Sequence, residues 1–283
     1  MGSGTYSSNS HAVRAESAGY YTKSTREVFK QKRINNAMDP RGVRIREARD
    51  SAEHPNSLAI ILGLDVTGSM GSIPHFLVKQ GLPNIMDKII QNGLKDPQVL
   101  FLGIGDHMYD SCPLQVSQFE SSDELLDHWL TSVFLEGGGG GNDGESYLLA
   151  WYFAAKHTSI DCFEKRKQKG FLFTIGDEPP LEKIDGNYLK HIMGDGQYED
   201  LTAFSLLEKV REMYNVFHIN VGETASGSRQ TVVDAWKQIL KDNLLVAKHH
   251  DDIASLIADT IIKNTKTEIK EEATEETQGD ILL

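Results

Sequence analysis

The chain alternates between short unbroken apolar runs and longer stretches whose apolar residues recur every three or four positions. Leu58-Ala59-Ile60-Ile61-Leu62-Gly63-Leu64 is the clearest run, and continuous hydrophobicity over strand length predicts a strand covered on both faces. Residues 99–104, 171–175, 216–221 and 244–247 read in the same way, and 114–119 reads as a shorter, alternating strand. Helical periodicity falls between them, over 74–91 with a break near Gly81 and Pro83, over a segment capped by Ser121-Ser122-Asp123-Glu124 and running through Trp129 and Leu130, and over 144–156, 201–214, 231–240 and 251–263. Strands separated by helices of this length need right-handed crossovers, which lay strands parallel and cover both faces of the sheet. The expected fold is therefore α/β: a doubly wound, mostly parallel six-stranded sheet with one short antiparallel edge strand and helices on both faces.

The ends do not share this pattern. Residues 1–56 lack strong apolar runs, and Ser24-Thr25-Arg26-Glu27 reads as a capping box opening a polar helix to about Met38, stopped by Asp39-Pro40-Arg41-Gly42. The segment carries a net charge of +4, and Tyr20, Tyr21, Val28 and Phe29 give it apolar anchors, so it is expected to be an arm that lies against the acidic remainder of the chain or reaches into a neighbouring copy. Residues 264–283, with Glu271-Glu272 and Glu275-Glu276 and a net charge of −4, read as an acidic disordered tail. The organisation predicted is an arm (1–56), one domain (57–263) and a tail (264–283).

Composition narrows the function. The formal net charge of −12 repels phosphate backbones and argues against nucleic acid as a main partner. No stretch approaches a membrane span, and the first ten residues carry no apolar leader. Cys112 and Cys162 alone supply thiols, which excludes a disulfide scaffold or a Cys-rich zinc site and suits a reducing, cytoplasmic setting.

In a doubly wound sheet, ligands bind beyond the carboxyl ends of the strands. After the first strand comes Asp65-Val66-Thr67-Gly68-Ser69-Met70-Gly71, in which a carboxylate and two hydroxyls spaced by two can be aimed at one point by a tight turn. After the strand at 171–175 comes Gly176-Asp177-Glu178-Pro179-Pro180, which adds a second carboxylate. Between them a five-glycine run, Gly137 to Gly141, leads into Asn142-Asp143-Gly144-Glu145-Ser146. Oxygen donors of this kind suit a hard cation such as Mg²⁺.

These blocks resemble the von Willebrand factor type A domain with its metal-ion-dependent adhesion site. The family pattern is Asp-x-Ser-x-Ser after the first strand, a Thr from a glycine-rich loop and an Asp after the fourth strand, and this chain presents Asp65, Thr67 and Ser69, then Asn142 or Asp143, then Asp177. Gly105-Asp106-His107, Gly140-Gly141-Asn142-Asp143-Gly144-Glu145 and Asp177-Glu178-Pro179-Pro180 are similar to segments of its hemicentin-like and alpha-kinase-linked branch. Thr67 departs from the usual Ser but keeps the hydroxyl, and Asn142 or Asp143 must stand in for the loop Thr. The resemblance implies one Mg²⁺ or Mn²⁺ held by Thr67 and Ser69, with Asp65 and Asp177 bound directly or through water. Asp106, Glu145 and Glu178 are candidates to surround it, against the plainer readings of a strand-end cap, a carboxylate favoured at a helix start and a solvated side chain. It also implies a non-enzymatic scaffold or adaptor that docks an acidic residue of a protein partner, such as an AAA+ ATPase or an assembly subunit; a homo-oligomer is left open.

Two other functions compete. In the first, the metal is a staple within a larger assembly. In the second, Asp65-Val66-Thr67-Gly68-Ser69 is an aspartyl-phosphate motif of haloacid-dehalogenase type, but no lysine sits at a strand end, Asp185 lies eight residues past Asp177, and Pro179-Pro180 intervenes. Gly139-x-Gly141-x-x-Gly144 matches a dinucleotide fingerprint but does not follow the first strand, and its acidic neighbours repel a pyrophosphate. His249-His250-Asp251-Asp252 reads as a polar turn capping the last helix, because adjacent side chains point apart. His107 and His218 read as structural, and Trp129, Trp151 and Trp236 as core.

Overall fold

The computed structural model describes residues 4–137 and 144–279, the stretch 267–279 as backbone only. Its strands are β1 (Arg46–Ala48), β2 (Leu58–Asp65), β3 (Pro97–Ile104), β4 (Leu114–Val116), β5 (Thr158–Ile160), β6 (Gly170–Gly176), β7 (Lys183–Ile184), β8 (Leu201–Thr202), β9 (Tyr214–Val221) and β10 (Leu244–Ala247). Six of them form one sheet in the order β10-β9-β6-β2-β3-β4. All neighbours in it are parallel except β4, which pairs antiparallel to β3 through Leu102–Val116. From β2 the chain moves outward to β3 and β4, then returns to lay β6 on the other side of β2. The strand order therefore reverses between β2 and β6.

The helices are α1 (Ser8–Ala18), α2 (Thr25–Val28), α3 (Ile73–Phe76), α4 (Leu82–Gln91), α5 (Asp123–Thr131), α6 (Tyr147–Lys156), α7 (Asp161–Arg166), α8 (Gly186–Met193), α9 (Ala203–Arg211), α10 (Gln230–Leu240) and α11 (Asp252–Gly279). The central strands send alternate side chains into two cores. Leu58, Ile60, Leu62 and Leu64 of β2 join Phe171, Phe173 and Ile175 of β6 under α4, α5 and α11. On the opposite face Ala59, Ile61 and Leu172 pack beneath α6, α9 and α10. Burial on both sides is why these strands read as unbroken apolar runs. Helix α6 is buried at every position from Tyr147 to Ala154, as befits a helix enclosed on all sides. Trp151 and Trp236 are fully buried as expected, whereas Trp129 is only partly covered.

Several elements differ from expectation for identifiable reasons. The break anticipated near Gly81 is a π-turn, Leu77–Gly81, that joins α3 to α4 without ending the helix. The polar helix expected from Ser24 is a single turn: the Ser24 N–H and hydroxyl both donate to Glu27, but α2 ends at Val28. The longer helix of the arm, α1, is unannounced in the sequence because it buries only His11 and Ala15. Its ends are closed locally, the Ser7 hydroxyl accepting from the Ser10 N–H and Gly19 turning left-handed at φ 75°. The last helix, expected to stop at Lys263, continues to Gly279, so the segment expected to be a disordered tail is helical over 264–279. Its Lys, Glu, Ala and Gln content favours propagation of a helix already anchored by Ile253, Ile257 and Ile261.

The arm lies against the domain. Tyr20, Val28 and Phe29 are buried, while Tyr21, expected as an anchor, is exposed. Arg14 pairs with Asp123 at 2.6 Å, and the Tyr20 hydroxyl bonds Asp127 at 2.9 Å. Further along the arm, β1 pairs in parallel with β5.

Candidate metal centre

The site forms at the carboxyl ends of β2 and β6, the neighbouring strands at which the order reverses. Asp65 is the last residue of β2, and Asp177 follows β6 directly. Both are fully buried. After Asp65 the chain makes a turn, Gly68–Met70, entered through Thr67. One Asp65 oxygen, Oδ1, closes that turn by accepting from the Thr67 N–H at 2.9 Å and the Thr67 hydroxyl at 2.6 Å. The Thr67 and Ser69 hydroxyls are 3.1 Å apart, and Ser69 donates to Asp177 Oδ1 at 2.9 Å. A carboxylate, two hydroxyls and a second carboxylate thus form one continuous chain. Ser69 and Gly68 are exposed, so this chain opens to solvent at the turn.

Glu145 enters from the segment before α6. Its N–H donates to Pro179 O at 3.2 Å, which ties it to the loop carrying Asp177. Asp106, buried after β3, accepts from the Met108 N–H at 2.8 Å and organises its own turn. His107 holds that turn to the start of α6, with its ring Nδ1 2.7 Å from the Ser146 hydroxyl. Glu178 is turned to Arg229, 2.8 Å away. Asn142 and Asp143 lie outside the described residues.

Tyr147 is the residue that sequence reasoning missed. Its hydroxyl donates to Asp65 Oδ2 at 2.7 Å. The approach depends on Gly176, where an added Cβ would fall 2.0 Å from that hydroxyl. An aromatic residue on an apolar helix carries no mark of such a role, and the glycine at the end of β6 has meaning only once the helix is docked.

The electrostatics are those of carboxylates gathered without enough compensation. Burial pushes Asp65 up to about 7, against the hydrogen bonds from Thr67 and Tyr147 that favour its ionised form, and the charge of Asp177 adds to the rise. Burial likewise pushes Glu145 up to about 10, with Asp65, Asp106, Asp110 and Glu178 contributing. Tyr147 is held far above its ordinary value by burial among the same carboxylates. Asp177 Oδ2 and Glu145 Oε2 are buried with no hydrogen-bond partner among the described residues. Unpaired buried carboxyl oxygens cost free energy that a proton or a cation can offset. The donor set is all oxygen and includes two orphans, so it fits a hard divalent cation.

Elsewhere the histidines behave in two ways. His218 is buried, stacked on Trp236 with centroids 3.6 Å apart and bonded to Thr174, a structural role as expected. His249 and His250 do not point apart. The turn does cap α11, its His249 and His250 carbonyls accepting from the Asp252 and Ile253 N–H groups at 3.0 and 3.1 Å, but both rings converge on Glu223. Cys112 and Cys162 are free and buried. No described helix is long and apolar enough to cross a membrane.

Fold and site together define a doubly wound α/β protein of Rossmann-like architecture, with an acidic, all-oxygen cluster at the point where strand order reverses. No protein-family model matches the chain, and no curated protein matches it. Among solved structures it is similar to the pilus adhesin SpaC from Lactobacillus rhamnosus GG, at 13% identity and a TM-score of 0.49 over 77% of this chain and 31% of that one. It is also similar to an aerotolerance-related membrane protein from Bacteroides fragilis, at 12% identity and a TM-score of 0.41 over 73% of this chain and 99% of that one. A third likeness is to proximal thread matrix protein 1 of the mussel byssus, at 12% identity and a TM-score of 0.45 over 73% and 47%. The chain thus spans about a third of the adhesin's length and about half of the byssus protein's.

Proposed function

We propose that this chain is a metal-dependent protein-interaction module of the von Willebrand factor type A kind, acting as a scaffold or adaptor rather than an enzyme. The observation that carries the reading is the hydrogen-bonded chain from Asp65 through Thr67 and Ser69 to Asp177, with Asp177 Oδ2 and Glu145 Oε2 buried and unpartnered among the described residues. Thr67, Ser69, Asp65 and Asp177 would hold a Mg²⁺ or Mn²⁺ ion, with Glu145 beside it. The bound cation would supply Lewis acidity toward one further oxygen ligand, an acidic side chain of the partner.

The chain's own residues prepare that event. Tyr147 fixes one Asp65 oxygen, and the Thr67 N–H fixes the other, so the carboxylate cannot rotate away. Ser69 is exposed at the mouth of the cluster, where an incoming carboxylate has access. On the Asp106 side lies a cleft of about 560 Å³ whose lining includes His107, Met108, Asp110 and Tyr188. Met108 and Tyr188 are exposed and offer apolar footing next to a charged anchor. Such a pairing of one anchor with an apolar surround is a common way to build specificity. A cytoplasmic setting and an ATPase or assembly subunit as partner are part of the same proposal.

The test is a pull-down with wild type and Asp65→Ala, each with Mg²⁺ and with EDTA. Partners recovered only by wild type in Mg²⁺ support the reading, and partners recovered equally in all four arms overturn it. A stable beryllium-fluoride adduct at Asp65 would instead identify it as a phosphorylated nucleophile.

A further inference from the structure

Strands β9 and β10 run parallel with Val221 opposite Ala247, and the Gly222 N–H donates to Ala247 O at 2.8 Å. That register brings the residue after Gly222, Glu223, level with the turn that leads into α11. His249 Nε2 lies 3.1 Å from Glu223 Oε2, and His250 Nδ1 lies 2.7 Å from Glu223 Oε1. The three ligating atoms sit within 4.8 Å of one another. The two rings are 4.1 Å apart, and the edge of Phe76 packs on His250 at 4.9 Å, which limits rotation of that ring.

The other nitrogen of each ring is also accounted for. His249 Nδ1 is 3.1 Å from one Asp251 oxygen, and His250 Nε2 is 3.4 Å from the other. Each imidazole therefore presents one nitrogen to Glu223 and the other to Asp251. Asp251 thus stands where an orienting carboxylate stands beside a metal-bound histidine, facing the nitrogen away from the metal, and its own N–H also donates to His249 Nδ1 at 3.4 Å. Direct contacts between the imidazoles and the two carboxylates give the same distances without a metal, so the discriminating quantity is metal affinity itself.

The geometry points to a second divalent-cation site, ligated by Glu223, His249 and His250 and braced by Asp251, that selects Zn²⁺ or a similar borderline transition metal. Two imidazoles and one carboxylate are the donor set of that class, unlike the all-oxygen set at Asp65. The Glu223 and His250 side chains are each one-quarter exposed and that of His249 about half, which leaves room for water or an external ligand in a remaining position. Bound there, the metal clips the loop after β9 to the turn after β10, at the same end of the sheet as the acidic cluster.

The experiment is a titration of the full, tag-free chain with Zn²⁺ by calorimetry, repeated with Co²⁺ and visible absorption. Expected are one zinc site that survives Asp65→Ala, affinity at least tenfold weaker in Glu223→Gln and in His249→Ala, and about 10- to 100-fold weaker in Asp251→Asn. The visible Co²⁺ band of wild type should be lost in His249→Ala. Zinc affinity unchanged within about twofold in Glu223→Gln and His249→Ala, or no binding tighter than about 100 μM, overturns the proposal. Loss of zinc binding in Asp65→Ala overturns it as well, because the ion then sits in the acidic cluster. The altered side chains are partly exposed, and the metal-free melting temperature of each variant verifies that it folds.

Discussion

Asp65 combines complete burial with a neighbouring carboxylate and only neutral hydrogen-bond donors from Thr67 and Tyr147. Its folded-state value of about 7 lies above that of an unfolded aspartate, about 3.9. Between those pH values the folded state binds more protons, so stability of the metal-free protein falls as pH rises through that window and levels off above it. Asp65→Asn removes the ionisation and should raise the melting temperature in EDTA at pH 8 while giving no gain near pH 4. A variant that melts lower than wild type at pH 8 would refute this account. Tyr147→Phe acts on the same atom in the opposite sense. It leaves Asp65 Oδ2 buried without its donor and should cost about 1–3 kcal/mol in urea unfolding.

Between elements, the end of β6 and the start of α6 touch so closely that no side chain fits at Gly176. Gly176→Ala should displace Tyr147 and destabilise by about 1–3 kcal/mol or more through overpacking, with Mg²⁺ affinity falling alongside because Asp65 loses its orienting contact. A structure of the variant with Tyr147 unmoved would count against this. The arm is clamped at a different place. Burial alone would raise Asp161, but hydrogen bonds from Lys165, the Asp50 N–H and Arg49 outweigh it and hold the carboxyl down at about 2. A depressed value means stabilisation that is present above the unfolded pKa and lost as pH falls toward 2. Asp161→Asn should therefore cost about 2 kcal/mol near neutrality, less as pH approaches 2, and should speed proteolysis between β1 and β2.

At the scale of the whole molecule, a net charge of −12 and the carboxylates gathered around Asp65 and Glu145 give a field that attracts cations, which makes the proposed metal binding testable by stability. Mg²⁺ at one hundred times its dissociation constant should add about 2.7 kcal/mol, which for a domain of this size is roughly a 5–10 °C rise in melting temperature. The rise should shrink below pH 7, since Asp65 must release its proton to ligate. A Mg²⁺-induced shift that is equally large in Asp65→Ala would place the ion elsewhere.

Composition and period in the sequence determined the layers of this protein. Runs such as 58–64 and 171–175 are apolar at every position because both sheet faces are covered, and that property is local enough to read without a fold. The strand-end oxygen donors Asp65, Thr67, Ser69 and Asp177 were legible for a related reason: parallel strands put their carboxyl ends side by side, so residues after strands meet. Tertiary structure alone decided the rest. Helix α1 has no apolar stripe to announce it and forms on the bed that α4 and α5 provide. Tyr147 reaches Asp65 only because α6 docks against a glycine at the end of β6. His249 and His250 converge, against the rule that adjacent side chains diverge, because they lie in a turn instead of a regular element and a carboxylate from the loop after the neighbouring strand β9 draws both rings to one point. Period and spacing describe what a regular backbone does to its own neighbours; contacts across elements depend on register and docking, which no single stretch of sequence contains.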